Sequence, residues 1–283
     1  MRRLKSTQTA LLGGSFCAAL CALPAAGLAQ IGSINSANIK LKAFNDMPAA
    51  IATATNLYPG SITLSETGDT RVAAGGLNRD IWYFSNDGGA TAYTFQDGQY
   101  FDMSFGVTLT GGTPGTDLEA GILFSNPTGT FGGDCQSIVT NGGVVVQFGG
   151  PSYYPFSPAA GGYPGAGGSV PNYTLGQTYT MALDYVQDPG TGNPAFEYSV
   201  NGQFAASSPG DPYFDLGGPL NIGPGSNALG GYFQIGNAPG NGGQAVFSNI
   251  TITPVAVPEP ASLSLLAIGS VGLLVRRRAM RSV

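Results

Sequence analysis

Along the middle of this chain, apolar side chains recur at every second position. Phe101, Met103, Phe105, Val107 and Leu109 alternate with Asp102, Ser104, Gly106 and Thr108. Leu118, Ala120, Ile122 and Phe124 repeat the pattern, as do Tyr179, Met181, Leu183 and Tyr185, and then Phe196, Tyr198 and Val200. A period of two puts alternate side chains on opposite faces of a strand, one face in a core and the other in water. Near the end of the body, Val246, Ile250 and Ile252 are expected on one face, with Asn249, Thr251 and Thr253 on the other. Asp97-Gly98, Asn141-Gly142 and Asn201-Gly202 fall between such runs, and these dipeptides suit two-residue hairpins that need positive φ. No segment of the body carries a helical stripe. The pattern predicts an all-β fold, an antiparallel β-sandwich of the jelly-roll type. No repeat of fixed period points to a solenoid or propeller.

The two ends read differently. Arg2, Arg3 and Lys5 precede an apolar stretch from Ala10 to Leu23, and small residues follow up to Ala29. That order is a secretory signal peptide, cut between Ala29 and Gln30, and it implies the Sec translocon and signal peptidase as partners. At the far end, Ala261 to Val275 is apolar apart from small Ser and Gly residues, and Arg276, Arg277 and Arg278 follow. Fifteen helical residues cover about 22 Å, against about 30 Å for a bilayer core. Tilt and snorkelling arginines close such a gap, and the arginines stay cytoplasmic as membrane-stop residues. The expected organisation is a signal peptide with its helix at 1–29, a sandwich domain at 30–256, and a sorting and anchor segment with a short hydrophobic helix at 257–283.

Val257-Pro258-Glu259-Pro260, the apolar run and the arginines together resemble the PEP-CTERM sorting signal of Gram-negative bacteria, a segment also called the ice-binding protein C-terminal domain. The resemblance implies that an exosortase-type protease recognises Pro258, Glu259 and Pro260 and cuts near them. It also implies a membrane-tethered precursor that ends at the cell surface or in the extracellular matrix, among exopolysaccharide.

The body between the two ends holds four basic residues, Lys40, Lys42, Arg71 and Arg79, against fifteen acidic ones, a net charge of −11. Such a surface repels phosphate backbones and excludes nucleic acid as a partner. There is no histidine anywhere, which removes Ser-His-Asp and Cys-His catalysis and the usual zinc ligands. Cys135 is the one cysteine of the body, so no internal disulfide supports it and the fold rests on packing. No cofactor is expected. Calcium is the conceivable ion, but Asp80, Asp87, Asp97, Asp102, Asp188, Asp211 and Asp215 form no Asp-x-Asp-x-Asp loop.

The stretch Gly176 to Phe204, and Gly231-Tyr232-Phe233-Gln234-Ile235-Gly236 with the strand after it, resemble the concanavalin-A-like lectin and glucanase sandwiches. That resemblance implies saccharide as a ligand class. Candidate carbohydrate-binding residues are Trp82, then Asp117 and Glu119, two apart on one strand, and Tyr153, Tyr154 and Tyr163 in a Pro- and Gly-rich loop. Glycoside hydrolysis uses two carboxylates about 5 to 9.5 Å apart, which Asp117 and Glu119 could provide. The glucanase motif needs a third acid, and Asp117-Leu118-Glu119-Ala120-Gly121-Ile122 lacks it. The expectation is a non-catalytic envelope or matrix protein, structural or weakly carbohydrate-binding, with a glycan hydrolase or lyase as the rival.

Overall fold

The computed structural model describes residues 31–68, 76–111, 117–125, 135–140, 143–148, 174–204, 210–215, 228–236 and 242–255. Both terminal segments, with the expected signal and anchor helices, lie outside these. The described residues hold fourteen strands and no helix. In chain order they are β1 (Ser36–Asn45), β2 (Ile51–Leu57), β3 (Ser61–Thr67), β4 (Leu77–Ser85), β5 (Phe101–Gly111), β6 (Asp117–Ser125) and β7 (Cys135–Thr140). Then come β8 (Gly143–Phe148), β9 (Thr178–Gln187), β10 (Pro194–Val200), β11 (Gln203–Phe204), β12 (Phe214–Asp215), β13 (Ala228–Gly236) and β14 (Gly243–Pro254).

They form two sheets, every pairing antiparallel. One has six strands in the order β1-β4-β13-β6-β7-β8, the other eight in the order β11-β10-β9-β5-β14-β3-β2, with β12 also on β10. The chain changes sheet repeatedly, as in a jelly roll. The inward positions of the two sheets make one core. From the six-stranded sheet come Trp82, Phe84, Leu118, Ile122, Phe124, Phe233 and Ile235, and from the other Ile62, Phe105, Val107, Met181, Leu183, Phe196 and Phe247. The alternations of β5, β6, β9 and β10 hold as predicted.

Turn chemistry holds in part. Asn201 and Gly202, at φ 51° and 75°, close β10 onto β11, and the Asn201 carboxamide accepts a bond of 2.9 Å from the Thr180 amide of β9. Asn141-Gly142 lies outside the described residues, between β7 and β8. Asp97-Gly98 makes no hairpin. It is a tight turn closed by the Gln99 amide on the Gln96 carbonyl at 3.1 Å, in the connection that carries the chain from one sheet to the other.

The face reading of β14 needs correction. Asn249 adopts φ 51°, and the pairing with β5 slips between Ser248 and Thr251. A bulge adds a residue and reverses the inside-outside parity beyond it. Ala245 and Phe247 are therefore inside before it and Ile250 after it, while Val246 lies on the outer face, part-buried. The bulge is held by the Asn249 and Ile250 amides, which donate to Gly60 and Pro59 carbonyls at 2.9 and 3.0 Å.

A buried polar contact fastens the sheets near one rim. Asn78 of β4 donates to Glu66 of β3 at 2.9 Å and exchanges two bonds with the Met47 backbone at 2.9 and 3.1 Å. The Asn78 carboxamide is thereby bonded at both its nitrogen and its oxygen, as a buried amide requires.

Candidate functional site

The outer face of the six-stranded sheet is not the plain polar surface that the alternation predicts. Ile81 and Tyr83 of β4, Leu123 of β6, and Ala228 and Tyr232 of β13 form a second buried cluster there, with Ala43 and Ala92 packed against it. At one end of the cluster, register aligns Arg79, Gln234 and Glu119 side by side on β4, β13 and β6. The three are bonded in sequence. Arg79 Nε donates to Gln234 Oε1 at 2.9 Å, and Gln234 Nε2 donates to Glu119 Oε2 at 3.0 Å. The Arg79 guanidinium sits 5.0 Å from the centre of the Tyr232 ring, a cation–π contact. Arg79 and Gln234 are buried and Glu119 is half-buried. The row is thus a guanidinium, an amide and a carboxylate held rigid across three strands, with Glu119 as its solvent-reaching end.

Glu119 was predicted, and the row gives it partners. Asp117 opens β6 opposite Gly236. Arg79, Gln234 and Tyr232 were not predicted as site residues. The available signal was Arg79 itself, a single cation inside the apolar strand Leu77–Ser85 of an acidic body. Trp82 is corrected: it is wholly buried and meets Phe84, Phe105 and Phe247 edge-on at 5.3, 5.7 and 5.7 Å. An indole enclosed on all sides offers no face to a sugar. Tyr153, Tyr154 and Tyr163 lie outside the described residues, as do Ala29, Gln30, Val257, Pro258, Glu259, Pro260, Arg276, Arg277 and Arg278. The Ala261–Val275 run also lies outside the described residues, and among the described residues no helix is long and apolar enough to cross a membrane.

A second polar row crosses the outer face of the eight-stranded sheet. Asp102 of β5 pairs with Asp184 of β9, and Asp184 with Glu197 of β10. Burial, reinforced by the carboxylates of Asp102 and Glu197, pushes Asp184 up to about 7. Burial also raises Asp102, and burial with the Asp102 charge raises Glu197. Among the described residues no group of three or more His, Cys, Asp or Glu is disposed to hold a metal ion. Other aspartates bond neighbouring backbone and hydroxyl groups. Asp87 accepts from Ser85 and Thr91 hydroxyls, each at 2.6 Å, and those bonds hold its carboxyl far below the usual range. Asp188 accepts from the Gly190 amide at 2.6 Å, and Asp80 from the Lys42 amide at 2.7 Å.

The carboxylate row predicts an unusual pH profile. Asp184 binds its proton more tightly folded than unfolded, where an aspartate titrates near about 3.9. Its contribution is therefore complete below that value, declines as pH rises toward 7, and is flat beyond. Asp184→Asn should remove that decline and melt several degrees above wild type at pH 8. Thermal melts of both proteins across the pH range check this, and a variant melting below wild type at pH 8 would contradict it.

Among curated proteins, none matches this chain. Solved structures that it resembles include an alginate lyase of polysaccharide lyase family 7, 17% identical over 71% of this chain and 82% of that one, TM-score 0.38. The Lotus tetragonolobus seed lectin is 12% identical over 81% of this chain and 97% of that one, TM-score 0.40. A β-glucanase catalytic domain from Podospora anserina is 12% identical over 78% and 80%, TM-score 0.33. Likeness at this level carries no activity from one chain to another. The tail is more specific. Residues 256–278 match the PEP-CTERM protein-sorting motif, so the chain is an exported, exosortase-processed protein whose precursor is anchored in a membrane.

Proposed function

We propose that the processed protein is a non-catalytic component of the cell envelope or extracellular matrix that binds exopolysaccharide weakly through its sandwich. The tail motif supports the destination. The bonded row Arg79–Gln234–Glu119 carries the ligand reading, because planar polar groups fixed in place can meet sugar hydroxyls without first being ordered. Glu119 makes the contact, and Gln234 and Arg79 position it. In this reading Tyr153, Tyr154 and Tyr163, named from the sequence, are further sugar-contacting residues. Asp117 stands two positions before Glu119 on β6.

Affinity electrophoresis of the exported protein through gels containing the producing organism's exopolysaccharide tests the reading. Wild type should be retarded with a dissociation constant of about 1 mM. Glu119→Gln should weaken retardation about five- to tenfold, the worth of one charge-assisted hydrogen bond, with little change in melting temperature. Tyr153→Ala with Tyr154→Ala should weaken it independently. New reducing or unsaturated sugar ends formed by wild type and lost in Glu119→Gln would replace this reading with the hydrolase or lyase one.

A further inference from the structure

The strand edges differ in how they are protected. β1, at one edge of the six-stranded sheet, carries Lys40 and Lys42 and is broken by a register slip between Lys40 and Phe44, with Lys42 at φ 52°. β11, at one edge of the other sheet, is two residues long. Charge, bulging and shortness are the usual devices that stop edges from pairing with another chain. β2, at the opposite edge of that sheet, has none of them. It is Ile51-Ala52-Thr53-Ala54-Thr55-Asn56-Leu57, seven residues without charge or proline, and among the described strands it pairs with β3 alone. Ile51 and Leu57 are the two most exposed large apolar residues described, at 64% and 65%.

We propose that β2 is a self-association edge, on which a second copy of this chain lays its own β2 antiparallel about a two-fold axis through Ala54. The strand is its own complement in that register. Ile51 meets the partner's Leu57, Thr53 meets the partner's Thr55, and Ala52 meets the partner's Asn56. The two exposed apolar ends then bury each other, and threonines, good cross-strand partners, fill the middle. Charge allows the same place. Copies of a body at −11 repel one another through their carboxylates, and β2 carries none. The edge is also already tied in place. The Lys42 ammonium bonds the Ala50 and Pro48 carbonyls just ahead of it, and the Asn56 carboxamide donates to the Ala37 carbonyl at 2.9 Å. Little ordering is left for association to supply. Pairing joins two eight-stranded sheets edge to edge and doubles the saccharide patches on one particle.

Sedimentation velocity of the exported, processed protein tests this. Wild type should dimerise with rising concentration up to about 100 μM. T53K/T55K places like charges directly opposite across the axis, as does T53E/T55E, and each alone should dimerise at least about tenfold more weakly. Both positions are exposed, so the variants should melt like wild type. An equimolar mixture of the two should regain the dimer, since every lysine then faces a glutamate. A monomeric wild type, a T53K/T55K protein that dimerises as wild type does, or a mixture that stays monomeric would each overturn the assignment.

Discussion

Replacing Trp82 with alanine should destabilise the sandwich by about 3–5 kcal/mol, the cost of emptying the site of a fully buried aromatic ring. Trp82 is the largest wholly buried side chain. It projects from the six-stranded sheet between Phe105 and Phe247 of the other, so its loss opens a cavity at the junction of the two sheets. For a body of this size, that cost corresponds to a fall in melting temperature of roughly 10–15 °C. Trp82→Phe is the informative companion. Trp82 Nε1 is buried and has no hydrogen-bond partner, so phenylalanine keeps much of the ring packing and removes an orphaned donor. It should cost about 1–2 kcal/mol. Denaturant melts of the three proteins check the order, and equal losses in both variants would show that ring burial is not what holds the sheets together.

Gly230→Ala should be of similar severity for the opposite reason. Gly230 pairs with Tyr83 on the neighbouring strand, and a β-carbon added there would lie 1.8 Å from the Trp82 carbonyl oxygen and 2.7 Å from the Tyr83 α-carbon. Those atoms are backbone of a central strand, so no rotamer change relieves the overlap and β13 must move away from β4. The expected cost is about 3 kcal/mol or more, a drop of about 10 °C. Gly231→Ala should cost less. Its added carbon would meet the Trp82 and Phe247 rings at 2.5 and 2.8 Å, and rings can tilt where carbonyls cannot. A Gly230→Ala protein that melts with wild type would show that the two strands have slack.

How much of this the sequence held depends on range. The alternations of β5, β6, β9 and β10 were legible because each strand presents one face to the core, a local pattern. β4 and β13 were harder, since both of their faces are buried and such strands read as continuous apolar runs. The Asn249 bulge was invisible, because its positive φ is sustained by amides bonded to Gly60 and Pro59, nearly two hundred positions earlier in the chain. Asp97-Gly98 misled for a related reason. The dipeptide specifies a tight turn, and only the sheet topology decides whether the next strand returns alongside or crosses over. Of the candidate site, Glu119 was accessible as one carboxylate on a strand. Its partners Arg79 and Gln234 lie on strands far apart in sequence, and pairing through β13 alone brings them into line.

Among the described residues the last backbone contact of the sandwich is the Val255 amide on the Tyr100 carbonyl at 3.0 Å, and the matched sorting motif begins at the next residue. A cut anywhere beyond Val255 would leave every described strand pairing in place. Processing inside the matched segment would therefore act on sequence that the described sandwich does not use for its strand pairing.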